Sequence, residues 1–151
     1  MGLPGCEIAV VCGNDKTRER MLKKSFSQSG KVHVFGFIED IHELMNIACC
    51  VITKAGGITL SEAVAAQLPL VLFRPVPGQE RDNALYLAWK KAAVVVNRTG
   101  EIHSQLKDIL SNEKTISQMR ASVRSLRRDR AGDTVVEDIL HELEMGCKDK
   151  A

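Results

Sequence analysis

The chain alternates between short apolar runs and longer amphipathic segments. The apolar runs are rich in valine and isoleucine, and the segments between them repeat apolar residues at helical spacing. Continuous apolar strands separated by such helices predict a parallel sheet covered on both faces, as in a Rossmann-like, doubly wound α/β fold. The predicted strands are residues 8–12, 32–35, 50–53, 70–73 and 93–96, and the predicted helices are residues 15–28, 41–48, 60–67, 83–91, 102–110, 114–128 and 134–143.

Two loops follow neighbouring predicted strands. Residues 53–62 read TKAGGITLSE and come after the third strand. Glycines between a strand end and a helix N-terminus make an anion site, because the first helical amides lack partners and a phosphate can approach the backbone closely. Lys54 adds a positive charge. Residues 74–83, RPVPGQERDN, occupy the same position after the fourth strand. The two loops predict a phosphorylated ligand across the carboxyl ends of parallel strands.

Both loops resemble the C-terminal, donor-binding domain of the family 28 GT-B glycosyltransferases, which include the peptidoglycan acetylglucosaminyltransferases. The similarity is greater to the processive diacylglycerol glucosyltransferases and the plant monogalactosyldiacylglycerol synthases. It extends to residues 34–44, VFGFIEDIHEL, and to residues 93–97, AVVVN. The resemblance implies an inverting, metal-independent transfer of glucose or galactose from a UDP-sugar to diacylglycerol or a glycosyl-diacylglycerol.

The resemblance also implies roles for individual residues around a UDP-hexose. The segment 56–59 would cradle the diphosphate. Gln79 and Glu80 would contact the hexose hydroxyls, since an amide both donates and accepts hydrogen bonds, while Phe37 and Ile38 would face the uracil. The expected donor-binding residues are Gly13, Phe37, Ile38, Lys54, Gly56, Gly57, Ile58, Thr59, Glu62, Gln79, Glu80 and Asn83.

Several of these residues also have a structural interpretation. Glu62 stands three residues after Thr59, which is the capping-box spacing, so its carboxylate either pairs with a helix amide or accepts hydrogen bonds from ribose hydroxyls. The resemblance favours the ribose. Phe37 would otherwise be a core residue, Gly13 a turn glycine and Asn83 a brace for its loop.

The chain departs from the family at its N-terminus. GT-B donor domains begin with a strand, a glycine-rich turn and a helix, whereas only seven residues precede Ile8. The first strand of a doubly wound sheet lies centrally, so its loss would leave a gap. We therefore expect the strands from Ile8 and Cys50 to pair directly, or to be bridged by a segment of another copy or of the full protein. The second route includes self-association through the incomplete sheet.

Length and composition limit the remaining classes. A chain of 151 residues suits one donor-binding domain, residues 1–151, with C-terminal helices from about residue 101. Neither a membrane span nor a signal peptide is visible, which predicts a cytoplasmic protein, and a net charge of +2 gives no nucleic-acid signature. A group of arginines predicts either a solvated helix face or peripheral contact with anionic lipid at the cytoplasmic membrane face. These are Arg120, Arg124, Arg127, Arg128 and Arg130.

No catalytic residue, metal site or cofactor is expected in this chain. Its four histidines are scattered, and Ser61 lacks a nucleophile elbow. The resemblance places the general base and the lipid acceptor in an N-terminal domain, so the isolated chain is expected to bind its donor without turnover. The alternatives are an N-acetylglucosaminyltransferase donor subunit acting on a lipid-linked acceptor, a non-catalytic sugar-nucleotide-binding subunit, and a UDP-sugar 2-epimerase whose catalytic groups cannot be assigned here.

Overall fold

Strands and helices alternate along the chain in the computed structural model, which describes residues 5–128, 133 and 135–141. The strands are β1 (Ile8–Val11), β2 (Val32–Phe35), β3 (Val51–Thr53), β4 (Leu70–Phe73) and β5 (Ala93–Val96). The helices are α1 (Lys16–Ser25), α2 (Ile41–Ile47), α3 (Gly57–Ala65), α4 (Gln79–Trp89), α5 (Thr99–Leu110) and α6 (Glu113–Leu126). Residues 133 and 135–141 are also helical.

The strands form two parallel sheets. In the first sheet β1 pairs with β2, with Val11 opposite Phe35 at the carboxyl end. In the second sheet β4 lies between β3 and β5. A helix connects each strand to the next, as parallel pairing requires. The α/β class with parallel strands is therefore confirmed.

The core is built around β4. Leu70, Val71 and Leu72 have no exposed surface. Successive side chains of a strand point to opposite faces, and the buried residues divide accordingly. Leu70 and Leu72 belong to a cluster with residues of α2, α3, α4 and α6, whereas Val71 belongs to a second cluster with residues of α5 and α6. Helices therefore cover both faces of this sheet, which gives the loops after β3 and β4 a rigid base.

The predicted direct pairing of β1 with β3 is wrong for this chain. β1 pairs with β2, to which it is connected by α1, and β3 pairs with β4 in a separate sheet, which the chain reaches through α2. Met45 of α2 is buried in the same cluster as Leu70 and Leu72 of β4, so the segment that leads into β3 packs on the core of the second sheet. No described segment bridges β1 and β3, and Ile8 and Ile52 on these strands are 50% and 45% exposed.

The predicted arginine group and the last predicted helix lie toward the C-terminal end of the described chain. Four of the predicted arginines, 120, 124, 127 and 128, are exposed, while Arg130, Thr134 and residues 142 and 143 of the last predicted helix lie outside the described residues. Within the described part of the chain, no helix has the length and apolar character needed to cross a bilayer.

Candidate functional site

The loop after β3 leads directly into the open end of α3. Gly56 is the N-cap, and the first helical bond runs from the Leu60 amide to the Gly56 carbonyl at 3.1 Å. The amides of residues 57–59 come before the first helical bond, and no described backbone carbonyl accepts a hydrogen bond from them. A Cβ built on Gly56 or Gly57 would meet nothing within 4 Å. The positive end of the helix therefore faces open space, as an anion site requires.

The position at which α3 begins excludes the capping-box interpretation of Glu62. The helix begins at Gly57, three residues before the predicted start at Leu60, so Thr59 is its third residue and Glu62 its sixth. A capping box needs the threonine at the N-cap, and that position belongs to Gly56, which has no side chain to cap the helix. Glu62 is half-buried, and its carboxylate makes no hydrogen bond or ion pair with any described residue. It remains available to a ligand.

The second loop lies beside the first because β3 and β4 are paired. It ends at Gly78, the N-cap of α4, with φ 95°. This left-handed φ is one that glycine adopts without a Cβ clash. The Glu80 Oε2 atom accepts a hydrogen bond from the Val76 amide at 3.2 Å, so Glu80 braces its own loop. Gln79 is exposed and bonds to no described side chain, which leaves its amide open to a ligand.

Asn83 connects the two loops. Its Nδ2 atom donates to the carbonyl oxygen of Ala55 at 3.0 Å, and Ala55 is fully buried just before the glycine pair. The contact joins residues 28 positions apart in sequence. It fixes the spacing between the N-termini of α3 and α4, which is the bracing role that the sequence left open for Asn83.

Replacing Asn83 with alanine is expected to lower the free energy of unfolding by about 1–2 kcal/mol, because the Ala55 carbonyl would lose its side-chain donor. The measurement is urea unfolding followed by circular dichroism. Asn97→Ala is the matched control, since Asn97 is exposed and bonds to Glu101 through its backbone amide. Equal stability of the two variants would show that the Asn83 contact contributes nothing.

Gly13 and Phe37 follow the two strands of the other sheet. The Cys12 amide donates to the Phe35 carbonyl at 2.9 Å, so their loops begin side by side. Gly13 has φ 57° and forms a turn. Phe37 is 63% exposed and is not a core residue, while Ile38 is half-buried. Gly13 and the segment of Phe37 and Ile38 therefore follow neighbouring strands of one sheet. The loops that lead into α3 and α4 belong to the other sheet, and no described strand pairs across the two.

Sequence reasoning missed Glu19, which lies at the same edge. Its carboxylate is 13% exposed and contacts Lys23 at 2.8 Å and Lys16 at 3.4 Å. A Cβ on Gly36 would lie 2.6 Å from Glu19 Oε2, so this carboxylate sits directly against the loop that leads to Phe37. The hydrogen bond from Lys23 lowers the pKa of Glu19. Glu19 and Lys23 are four residues apart on a predicted helix, and this spacing indicates the ion pair. Nothing in the sequence indicates that the Glu19 carboxylate lies against Gly36.

The described residues hold no set of three histidine, cysteine or acidic side chains grouped for a metal ion. Ser61 donates to the Gly57 carbonyl at 2.9 Å, so its hydroxyl is bonded within α3. The chemistry that this site offers is therefore hydrogen bonding and electrostatics, from open amides, a carboxylate, an amide side chain and the exposed Lys54.

Comparison with known sequences agrees with this arrangement. Residues 5–135 match the glycosyltransferase family 28 C-terminal domain. The chain is 43% identical to the processive diacylglycerol beta-glucosyltransferase of Bacillus cytotoxicus and 38% identical to that of Bacillus thuringiensis, each over 143 residues. Each match covers 94% of this chain and 37% of the relative. The chain thus spans little more than a third of the length of these relatives.

Solved structures with the same fold include MurG of Acinetobacter baumannii. It superposes with a TM-score of 0.74 and 25% identity, over 93% of this chain and 42% of MurG. The glycotransferase of kitacinnamycin superposes with a TM-score of 0.57 over 91% of this chain and 44% of its own, but at 12% identity that likeness shows the fold alone.

Proposed function

This chain belongs to the glycosyltransferase family 28 C-terminal domain family, and we propose that it is the UDP-sugar-binding half of a lipid glycosyltransferase. The reaction moves glucose or galactose from a UDP-hexose to diacylglycerol or a glycosyl-diacylglycerol. One observation carries the proposal: the open N-terminus of α3 and the start of α4 follow paired strands and are tied together by the hydrogen bond from Asn83 to Ala55. Two adjacent helix N-termini suit a ligand with a diphosphate and a sugar.

The proposed pose follows the geometry of α3. The amides at residues 57–59 bind the diphosphate. Thr59 and Glu62 are three residues apart, so they lie on one helix face with a rise of about 5 Å between them. Glu62 is thereby placed to accept hydrogen bonds from the ribose next to the diphosphate. Phe37 and Ile38 contact the uracil, and Gly13 lines the same edge.

The hexose lies at the start of α4 in this proposal. Gln79 contacts its hydroxyls, and Glu80, which braces the loop through Oε2, offers its other oxygen. In the transfer step the bond between the anomeric carbon and the diphosphate oxygen breaks, and negative charge grows on the departing UDP. The N-terminus of α3 and Lys54 stabilise that charge without a metal or cofactor.

The acceptor side of the reaction is proposed to lie outside this chain. A general base must remove the proton from the acceptor hydroxyl, and a domain of the longer protein would supply this base along with the lipid site. Such a protein would work at the cytoplasmic face of the membrane. An N-acetylglucosaminyltransferase remains a second candidate because of the structural similarity to MurG.

Calorimetric titration of the purified chain tests the proposal. UDP is expected to bind weakly, UDP-glucose or UDP-galactose at least as tightly, and UDP-N-acetylglucosamine less tightly. The added hexose should contribute because Gln79 is open beside the diphosphate site. Tighter binding of UDP-N-acetylglucosamine would favour the second candidate, and the absence of any UDP binding would overturn the site itself.

A further inference from the structure

Three large apolar side chains are exposed together on α4, at the end remote from the candidate site. Leu85, Tyr86 and Trp89 are 58%, 51% and 72% exposed. Their spacing places them on one face of the helix. We call these three residues the aromatic stripe. The opposite face of α4 buries Ala84 and Leu87 in the core, so the helix cannot rotate to bury the stripe. An exposed apolar group of this kind marks an interaction surface more often than isolated apolar residues do.

Positive charge surrounds the aromatic stripe. The Lys90 Nζ atom lies 4.3 Å from the Trp89 ring centroid and 5.7 Å from that of Tyr86, and the two rings are 6.2 Å apart. Lys90 itself is half-buried, and Lys91 and Arg81 are exposed. Asp82 is an exposed acidic residue on the same helix face, since it precedes Leu85 by three residues and Tyr86 by four. Basic residues therefore outnumber acidic ones at the stripe, which predicts an anionic partner.

The size of the stripe favours a lipid surface over a protein. A fully buried aromatic side chain covers roughly 150–250 Å², so Tyr86 and Trp89, even together with Leu85, stay below the ~800 Å² per partner that a stable protein interface buries. Indole and phenol rings combine an apolar body with a polar tip, which suits the headgroup region of a bilayer. Neighbouring lysines bind anionic headgroups there. We propose that the aromatic stripe, with Lys90 and Lys91, docks the protein onto an anionic membrane surface.

The docking would set the distance between the membrane contact and the candidate site. Gln79 begins α4 and Trp89 ends it, and ten residues of helix rise about 15 Å. A bilayer contact at Trp89 would hold the start of α4 about that far from the contact. This consequence rests on the proposed function, whereas the docking itself does not, because vesicle binding needs no nucleotide.

Trp89 supplies its own probe, since it is the only tryptophan of the chain. The purified chain is titrated with phosphatidylcholine vesicles that contain or lack phosphatidylglycerol. Anionic vesicles are expected to shift the tryptophan emission to shorter wavelength and to co-sediment the protein, and added salt should reverse both effects. The double variant Lys90→Glu, Lys91→Glu keeps the tryptophan and is expected to lower partitioning by at least roughly tenfold.

Two control variants separate the stripe from other surfaces. Met21→Ser removes an apolar side chain that is 64% exposed on α1, and vesicle binding should persist. Arg124→Glu tests the arginine group on α6, and binding should again persist. The proposal is overturned if the emission does not shift, if neutral vesicles act equally, or if Arg124→Glu abolishes binding while the lysine variant does not. A shift with protein concentration alone would identify a second copy as the partner.

Discussion

Replacing Glu62 with glutamine is expected to weaken UDP binding by roughly tenfold to a hundredfold, because ribose hydroxyls would lose a charged acceptor. The carboxylate has no described partner, and its place in the sixth position of α3 excludes a capping role. The substitution should therefore leave the melting temperature unchanged. A loss of affinity without a loss of stability identifies a ligand contact, since a structural carboxylate would show the reverse.

Calorimetry with UDP and UDP-glucose measures this prediction against two controls. Gln79→Ala should leave UDP affinity intact and weaken only UDP-glucose, because Gln79 is proposed to contact the hexose alone. Glu43→Gln removes an exposed carboxylate from α2 and should change neither ligand. If Glu62→Gln bound UDP as tightly as the unsubstituted chain while melting at a lower temperature, the ribose role would be wrong.

The regular parts of the fold were readable from apolar periodicity alone. β2, β4 and β5 begin and end where the apolar runs predict. For β4 and β5 the reason is burial, because a strand covered on both faces must be apolar throughout, whereas β2 exposes His33 and Phe35. The start of α3 was predicted too late for a local reason. Glycine is a poor helix former, and the threonine and glutamate after it imitate a capping box. In the structure the N-cap is Gly56, and the first amides of α3 stay open instead of receiving a side-chain cap.

The neighbouring positions of the α3 and α4 loops were also predictable, because parallel strands end at one edge of a sheet. The contacts that hold those loops were not. Asn83 bonds to a carbonyl 28 residues away, and Glu80 folds back onto Val76 in a proline-rich loop. Both are bonds between a side chain and the backbone: the Asn83 bond depends on tertiary geometry, and the Glu80 bond depends on the conformation of its own loop. The ligand roles of the site residues remain predictions until binding is measured.

β1 and β3 are edge strands of the two sheets that the structure describes. Cys6 precedes β1 and Cys50 precedes β3. Burial raises the pKa of the Cys50 thiol to about 12, and the Cys49 and Cys6 thiols add to the rise. No described strand pairs with the second edge of either β1 or β3. Exposed backbone groups along such edges readily pair with a strand from another molecule.

The chain is therefore expected to self-associate with rising concentration in sedimentation experiments. Ile52→Lys places a charge on β3, where the side chain is 45% exposed, and should weaken the association by roughly tenfold, because an edge lysine opposes strand addition. Ile47→Lys is the matched control, since Ile47 is 83% exposed and belongs to α2 and not to a strand. A chain that stays monomeric at every concentration would contradict the expectation, and equal effects of the two lysines would show that association does not use the strand edge.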